Sequence, residues 1–170
     1  VRANGLDRIV WDSPRARFGI VTTGKSYGDT MQALAELGID ERIARDIGLR
    51  VYKVAMSWPL EPQGARRFAE GLEEILVVEE KRPVVEDQLV RLLYPLRERP
   101  QVHGKRTADG AELLPSALFA LVCFTVLISH MQWSKIPATL LGNGCKRMQQ
   151  PETISKISAF RSAFLLFQKE

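Results

Sequence analysis

Gly19-Ile-Val-Thr-Thr-Gly24-Lys25-Ser26 fits the phosphate-loop pattern G-x-x-x-x-G-K-[ST] letter for letter. In a working phosphate loop the first glycine ends a strand. The next four residues then wrap phosphate oxygens with their N–H groups, and the lysine reaches the outer phosphates. Here the four intervening residues, Ile20–Thr23, read as the strand itself, so their N–H groups are committed to neighbouring strands. The preceding Ser13-Pro-Arg-Ala-Arg17 has no strand character. The favoured reading is a strand-to-helix turn in which Gly24 permits tight packing. Gly24, Lys25 and Ser26 are left as a weak anion site on the free N–H groups of a helix start. A small P-loop-like nucleotide- or anion-binding α/β protein is the alternative. It would need a second strand ending in Asp, whereas Ile75–Val78 runs into Glu79-Glu80.

Glu79-Glu80-Lys81-Arg82 follows an apolar strand, on the sheet edge where open α/β folds bind ligands. Four charges there more often make a solvated turn or a domain contact. With Trp58, which sits between a strand end and prolines and reads as core or interface, they are the expected domain-interface residues. His103 and His130 are isolated and have no partner at ligand spacing, so no metal site is expected. Both cysteines, Cys123 and Cys145, lie late in the chain, and no cysteine set for an iron–sulfur cluster is present. There is no G-x-S-x-G elbow, and no residue is expected to be catalytic.

The elements that would hold these residues alternate. Phe18–Thr23 reads as a buried strand. Tyr27, Met31 and Leu34 follow at helical spacing, and Gly38 ends the helix. Asp40 caps a short helix carrying Ile43 and Ile47, with Gly48 at its end. Leu49–Met56 is the second strand. After the stiff loop Trp58-Pro-Leu-Glu-Pro62, Ala65, Phe68, Ala69 and Leu72 form the next apolar stripe, with Pro62 in the first turn. Ile75–Val78 is the third strand. Pro83 opens a helix with Val85, Leu89, Leu92 and Leu93 inward, and Gln101–Lys105 forms an edge strand. Strands alternating with helices imply βαβ units: a three-layer α/β fold, with a parallel sheet of four or five strands covered on both faces.

Charge divides the chain. Residues 1–116 hold 18 basic and 18 acidic residues, while residues 117–170 hold 6 and 2, which accounts for the whole net charge of +4. The expected organisation is a linker at 1–17, a domain at 18–116 and a tail of atypical composition at 117–170, non-native or loosely ordered. A neutral folded part argues against nucleic acid as a partner. Ala117–Ile128 is apolar, but at twelve residues it is too short for a membrane span, which takes about 20. The polar start has no apolar signal segment, and a cysteine-free domain needs no oxidising compartment, so a cytoplasmic setting is expected. The opening residue, Val rather than Met, reads as a fragment or processed piece of a longer chain.

The stretches GIVTTGKSYGDTMQALAELGID, LRVYKVAMSWPLEPQG and FAEGLEEILVVEEKRPVVEDQLVRLLY closely resemble the indolepyruvate ferredoxin oxidoreductases, a group of 2-oxoacid:ferredoxin oxidoreductases. The WPLEP and VVEEKRP strings are specific in combination. The resemblance covers most of residues 18–94, weakens through HGKRTADGAELLPS and stops near Ala117. It implies the transketolase C-terminal-like domain of a larger enzyme. That enzyme would use thiamine diphosphate, Mg, iron–sulfur clusters and coenzyme A to decarboxylate an aryl-2-oxoacid oxidatively and pass electrons to ferredoxin. On this resemblance the domain is a scaffold beside the thiamine-binding domains, its partners. It would hold no cofactor and be inactive alone. Such chemistry depends on register, which rigid supports supply.

Overall fold

The computed structural model describes residues 1–36 and 38–106. The expectations for the tail at 117–170 lie outside these residues. Five strands, β1 (Arg8–Trp11), β2 (Phe18–Thr23), β3 (Leu49–Val54), β4 (Glu74–Val78) and β5 (Gln101–His103), lie in the order β1-β3-β2-β4-β5. Four helices connect them: α1 (Lys25–Glu36), α2 (Glu41–Ile47), α3 (Pro62–Ala69) and α4 (Val84–Leu93).

Strand alternation sorts the core into two layers. Phe18, Ile20, Leu49, Val51 and Val78 face Leu34, Ile43, Ala44 and Ile47 of α1 and α2. Val21, Tyr52, Val54, Ile75 and Val77 face Ala65, Phe68, Val85, Leu89 and Leu93 of α3 and α4. Helices thus cover both faces, as the alternating periods imply. The pairings β2–β3, β2–β4 and β4–β5 are parallel.

The sheet is nevertheless mixed. Arg8–Trp11, inside the segment expected to be a linker, pairs antiparallel with β3, with a register shift between Ile9 and Trp11. The parallel sheet expected from residue 18 onward is present as β2–β5, and the linker reading of 1–17 is corrected to the extent that Arg8–Trp11 adds an antiparallel edge strand to it. An edge strand of four residues that touches both core layers, through Val10 and Trp11 on one side and Ile9 on the other, and shifts register midway has no clean period of two to reveal it.

Helix ends follow local chemistry. The Asp40 carboxylate accepts the N–H of Ile43 at 2.8 Å, and Gly48 ends α2 with φ of 81°. Any side chain at Gly48 would meet the Arg15 carbonyl, so glycine is required there for space as well as for backbone sign. Glu61 caps α3 through the N–H groups of Gln63 and Gly64, with Pro62 in the first turn. Arg50 anchors the far end of α3. Its guanidinium donates to the carbonyls of Phe68 and Glu70 while bonding Asp12 at 2.6 Å.

Candidate functional site at the carboxyl edge of the sheet

Adjacent strands β2 and β4 send their chains to opposite faces. β2 feeds α1 on one face and β4 feeds α4 on the other. In open α/β sheets the carboxyl edge at such a point of divergence is where ligands bind. Thr22 pairs with Val78, so the residues that follow, Gly24-Lys25-Ser26 and Glu79–Arg82, leave the same edge of the sheet side by side. The structure therefore brings together two groups that lie more than fifty residues apart in sequence.

The Gly24–Ser26 corner is not a phosphate loop. Ile20–Thr23 are paired with β3, and Ile20–Thr22 with β4 as well, so this backbone is in the ladder. Gly24 turns with φ of 56°. Lys25 Nζ donates to Asp29 Oδ2 at 2.7 Å. That bond holds the ammonium above its ordinary range, with the Glu80 carboxylate adding to it. Ser26 is buried, and its hydroxyl faces away from solvent with those of Thr22 and Thr30, all three without a hydrogen-bond partner. Of the anion-site candidates, Ser26 has its side chain in the interior, and Lys25 is bound to Asp29.

Glu79 also departs from expectation. It is 3% exposed, and its carboxylate accepts the N–H groups of Val85 at 2.9 Å and Glu86 at 3.0 Å. An acid at a helix start complements the free N–H groups and the dipole, so Glu79 holds α4 and offers no surface to a neighbouring domain. Burial raises its pKa, partly opposed by those N–H bonds. Glu80, Lys81 and Arg82 are exposed at the carboxyl edge.

Beside them, sequence reasoning missed a second buried acid. Glu86 accepts the Lys105 N–H at 2.7 Å, and Lys105 Nζ donates to the Glu80 carbonyl at 3.0 Å. The signal was there: Glu86, Leu89 and Leu93 stand at i, i+3 and i+7 on the inward stripe of α4. Burial raises the pKa of Glu86 as well.

Trp58 stands on a loop held from two sides. Asp7 Oδ1 accepts the Ala55 N–H at 2.8 Å. Gln88 donates to the Ser57 carbonyl at 2.7 Å and accepts the Leu60 N–H at 2.8 Å. The indole is 69% exposed, so Trp58 is not a core residue. His103 is buried. Among the described residues there is no group of three or more His, Cys, Asp or Glu that could hold a metal ion.

Comparison with known proteins now decides the family. A family model described as the indolepyruvate oxidoreductase domain matches residues 8–163. The chain belongs to this family. The match begins at the first residue of β1, so that strand is part of the indolepyruvate oxidoreductase domain. It also runs across the compositional boundary near Ser116. Indolepyruvate oxidoreductase subunit IorA of Thermococcus kodakarensis is 34% identical over 90 residues, covering 53% of this chain and 13% of that protein. The same subunit of Methanothermobacter thermautotrophicus is 28% identical over 100 residues, covering 59% of this chain and 15% of that protein. The chain thus spans about one seventh of the length of these curated relatives. Among solved structures, a split-gene transketolase in its inactive β4 tetramer aligns with a TM-score of 0.52 at 16% identity, over 72% of this chain and 40% of that one. That likeness is one of fold.

Proposed function

We propose that this indolepyruvate oxidoreductase domain serves as a non-catalytic scaffold in a larger thiamine-diphosphate-dependent enzyme. That enzyme oxidatively decarboxylates indolepyruvate or a related aryl-2-oxoacid and passes the electrons to ferredoxin. The observation that carries this reading is the family match over residues 8–163, in relatives several times longer than this chain. Thiamine diphosphate would supply the carbon nucleophile for decarboxylation, coenzyme A would accept the acyl group, and iron–sulfur clusters would carry the electrons. In this reading those groups are held by other parts of the enzyme. No helix of the described residues is long and apolar enough to cross a membrane, and the proposed setting is the cytoplasm.

The docking face in this reading is the carboxyl edge. An exposed tryptophan on a loop held by Asp7 and Gln88 loses little freedom when a partner covers it, which suits an interface anchor. Glu80, Lys81 and Arg82, exposed at the same edge, supply a polar rim.

The test is kinetic. In the enzyme that carries this domain, Trp58→Ala lowers kcat with indolepyruvate about tenfold, a transition-state penalty of about 1.4 kcal/mol. The 170-residue chain alone gives no turnover. Decarboxylation by the isolated chain overturns the scaffold reading. Unchanged kcat in both Trp58→Ala and the double reversal Lys81→Glu/Arg82→Glu overturns the docking face.

A further inference from the structure

Three of the seven large apolar side chains that stand exposed among the described residues fall within one short stretch: Val90, Tyr94 and Leu96. The inward stripe of α4 is Val85, Leu89 and Leu93. Val90 and Tyr94 stand one position round from it, at i and i+4, and share the outer face of the helix. The chain then re-enters the sheet. The Gln101 N–H donates to the Glu73 carbonyl at 2.8 Å, and Gln101 pairs with Glu74, the first residue of β4. The patch therefore lies at the amino edge, at the other end of α4 from Glu80–Arg82. Exposed apolar side chains gathered among charges mark a contact surface.

Tyr94 is both displayed and held. It is 71% exposed, and Arg99 folds back onto it. The guanidinium lies 5.1 Å from the ring centroid and donates to the Tyr94 carbonyl at 3.0 Å. The Leu96 N–H donates to the Leu93 carbonyl at 2.9 Å and fixes the turn between them. A ring held this way loses little freedom when a partner covers it. The charge around it is one-sided. Arg91, Arg97 and Arg99 are exposed, and Glu98 is the one acid between Val90 and Pro100; Asp87 lies a turn further back on α4. Neither Arg91 nor Arg97 enters an ion pair among the described residues. Residues 1–116 are neutral as a whole, so the excess is local. Tyrosine and arginine are the residue types that anchor protein interfaces.

We propose that this patch docks an acidic protein surface. Apolar side chains of the partner pack on Val90, Tyr94 and Leu96, and its carboxylates pair with Arg91 and Arg97. A basic or neutral surface would cover these guanidinium groups without giving them a counter-charge, which is costly. A second copy of this chain, docked by the same patch about a two-fold axis, would set arginines against arginines. Single-stranded nucleic acid is also bound on arginine and tyrosine side chains. It suits this patch less well, because Arg99 already covers one face of the Tyr94 ring, Glu98 opposes phosphate, and Val90 and Leu96 give bases nothing to stack on. The patch is separate from the Trp58 face and stands or falls independently of the oxidoreductase reading.

Fluorescence anisotropy on the 170-residue chain tests the proposal, with the labelled peptide Glu-Glu-Leu-Trp-Glu-Glu-Leu-Glu as probe. It is expected to bind with a Kd of about 100 μM or tighter at low salt, and several-fold more weakly in about 0.5 M salt. The same peptide with lysine for every glutamate, or with serine for its leucines and tryptophan, should bind at least about tenfold more weakly. Tyr94→Ala and the double reversal Arg91→Glu/Arg97→Glu should each weaken binding about tenfold or more. Both change exposed side chains, so the melting temperature should stay close to that of wild type. Lys81→Glu/Arg82→Glu, at the carboxyl edge, should leave binding as it is. No anisotropy change up to about 1 mM chain overturns the proposal. Equal binding of the lysine peptide overturns it, as does binding lost in the carboxyl-edge variant and kept in the two patch variants. Oligothymidylate bound more tightly than the acidic peptide would make the patch a nucleic-acid surface, and that too overturns it.

Discussion

The Glu86 carboxylate accepts the Lys105 backbone N–H at 2.7 Å, tying the first turn of α4 to the turn that follows β5. Glu79 performs the same service one step earlier, between β4 and α4. Burial holds both acids above the ordinary carboxyl value of 4.5. The folded state therefore keeps these protons to higher pH than the unfolded chain does. Stability contributed by the pair is greatest below 4.5 and falls as pH rises through the folded values. A melting-temperature scan upward from 4.5 should show this decline, and Glu79→Gln and Glu86→Gln should each flatten it. Glu61 acts in the opposite sense. Although burial pushes it up, the N–H groups of Gly64 and Gln63 and the Arg2 guanidinium hold it below 4.5, so its contribution is lost only as pH falls beneath that value. An identical pH profile in wild type and both glutamine variants would contradict the assignment.

Gly19→Ala should destabilise the domain by about 1–3 kcal/mol, because the added methyl overpacks the contact between β2 and α3. A Cβ at Gly19 would stand 2.5 Å from Leu72 Cδ1 and 2.6 Å from Phe68 Cζ. Urea denaturation measures the loss. A midpoint equal to wild type would mean that α3 can retreat from the sheet.

Lys25→Ala should leave the melting temperature nearly unchanged, because the Lys25–Asp29 pair is an exposed one within a single helix. Calorimetry with Mg-ATP should give no binding heat with either protein. Micromolar affinity that disappears in the variant would restore the phosphate-loop reading of Gly24-Lys25-Ser26.

Trp58→Ala should change the stability of the isolated chain by no more than about 0.5 kcal/mol, since the indole is largely exposed. Gln88→Ala should do more, because it leaves the Leu60 N–H and the Ser57 carbonyl without their partner. Comparing the two melting curves separates the displayed side chain from the residue that displays it. A larger loss in Trp58→Ala would mean that the indole is part of the packing.

Where a segment's own periodicity decides its structure, the sequence was readable. The FGIVTT run became β2, Leu49–Met56 became β3 with its end two residues earlier at Val54, the Asp40 cap and the Gly48 stop bound α2, and the strand position of Ile20–Thr23 takes those N–H groups out of the G-x-x-x-x-G-K-S match. Gly19, first glycine of that match, owes its place to Phe68 and Leu72. Glu79 was misread because a run of four charges looks solvated. Its position two residues beyond Val77 continues the inward alternation of β4, but only the arrival of α4 gives the carboxylate its N–H partners. β1 stayed hidden because its four residues acquire meaning only against β3, some forty residues later.

The central position of β2 also limits how a gene may be cut. Its two neighbours, β3 and β4, both lie later in the chain, and the antiparallel edge strand lies earlier yet pairs with β3. Any break between residues 24 and 74 separates the middle of the sheet from at least one of its flanks. Neither half then contains a sheet that can cover its own apolar faces. Recombination, fusion and fission events that keep β2 in one chain with both of its neighbours are those that fall outside the span from Phe18 to Val78.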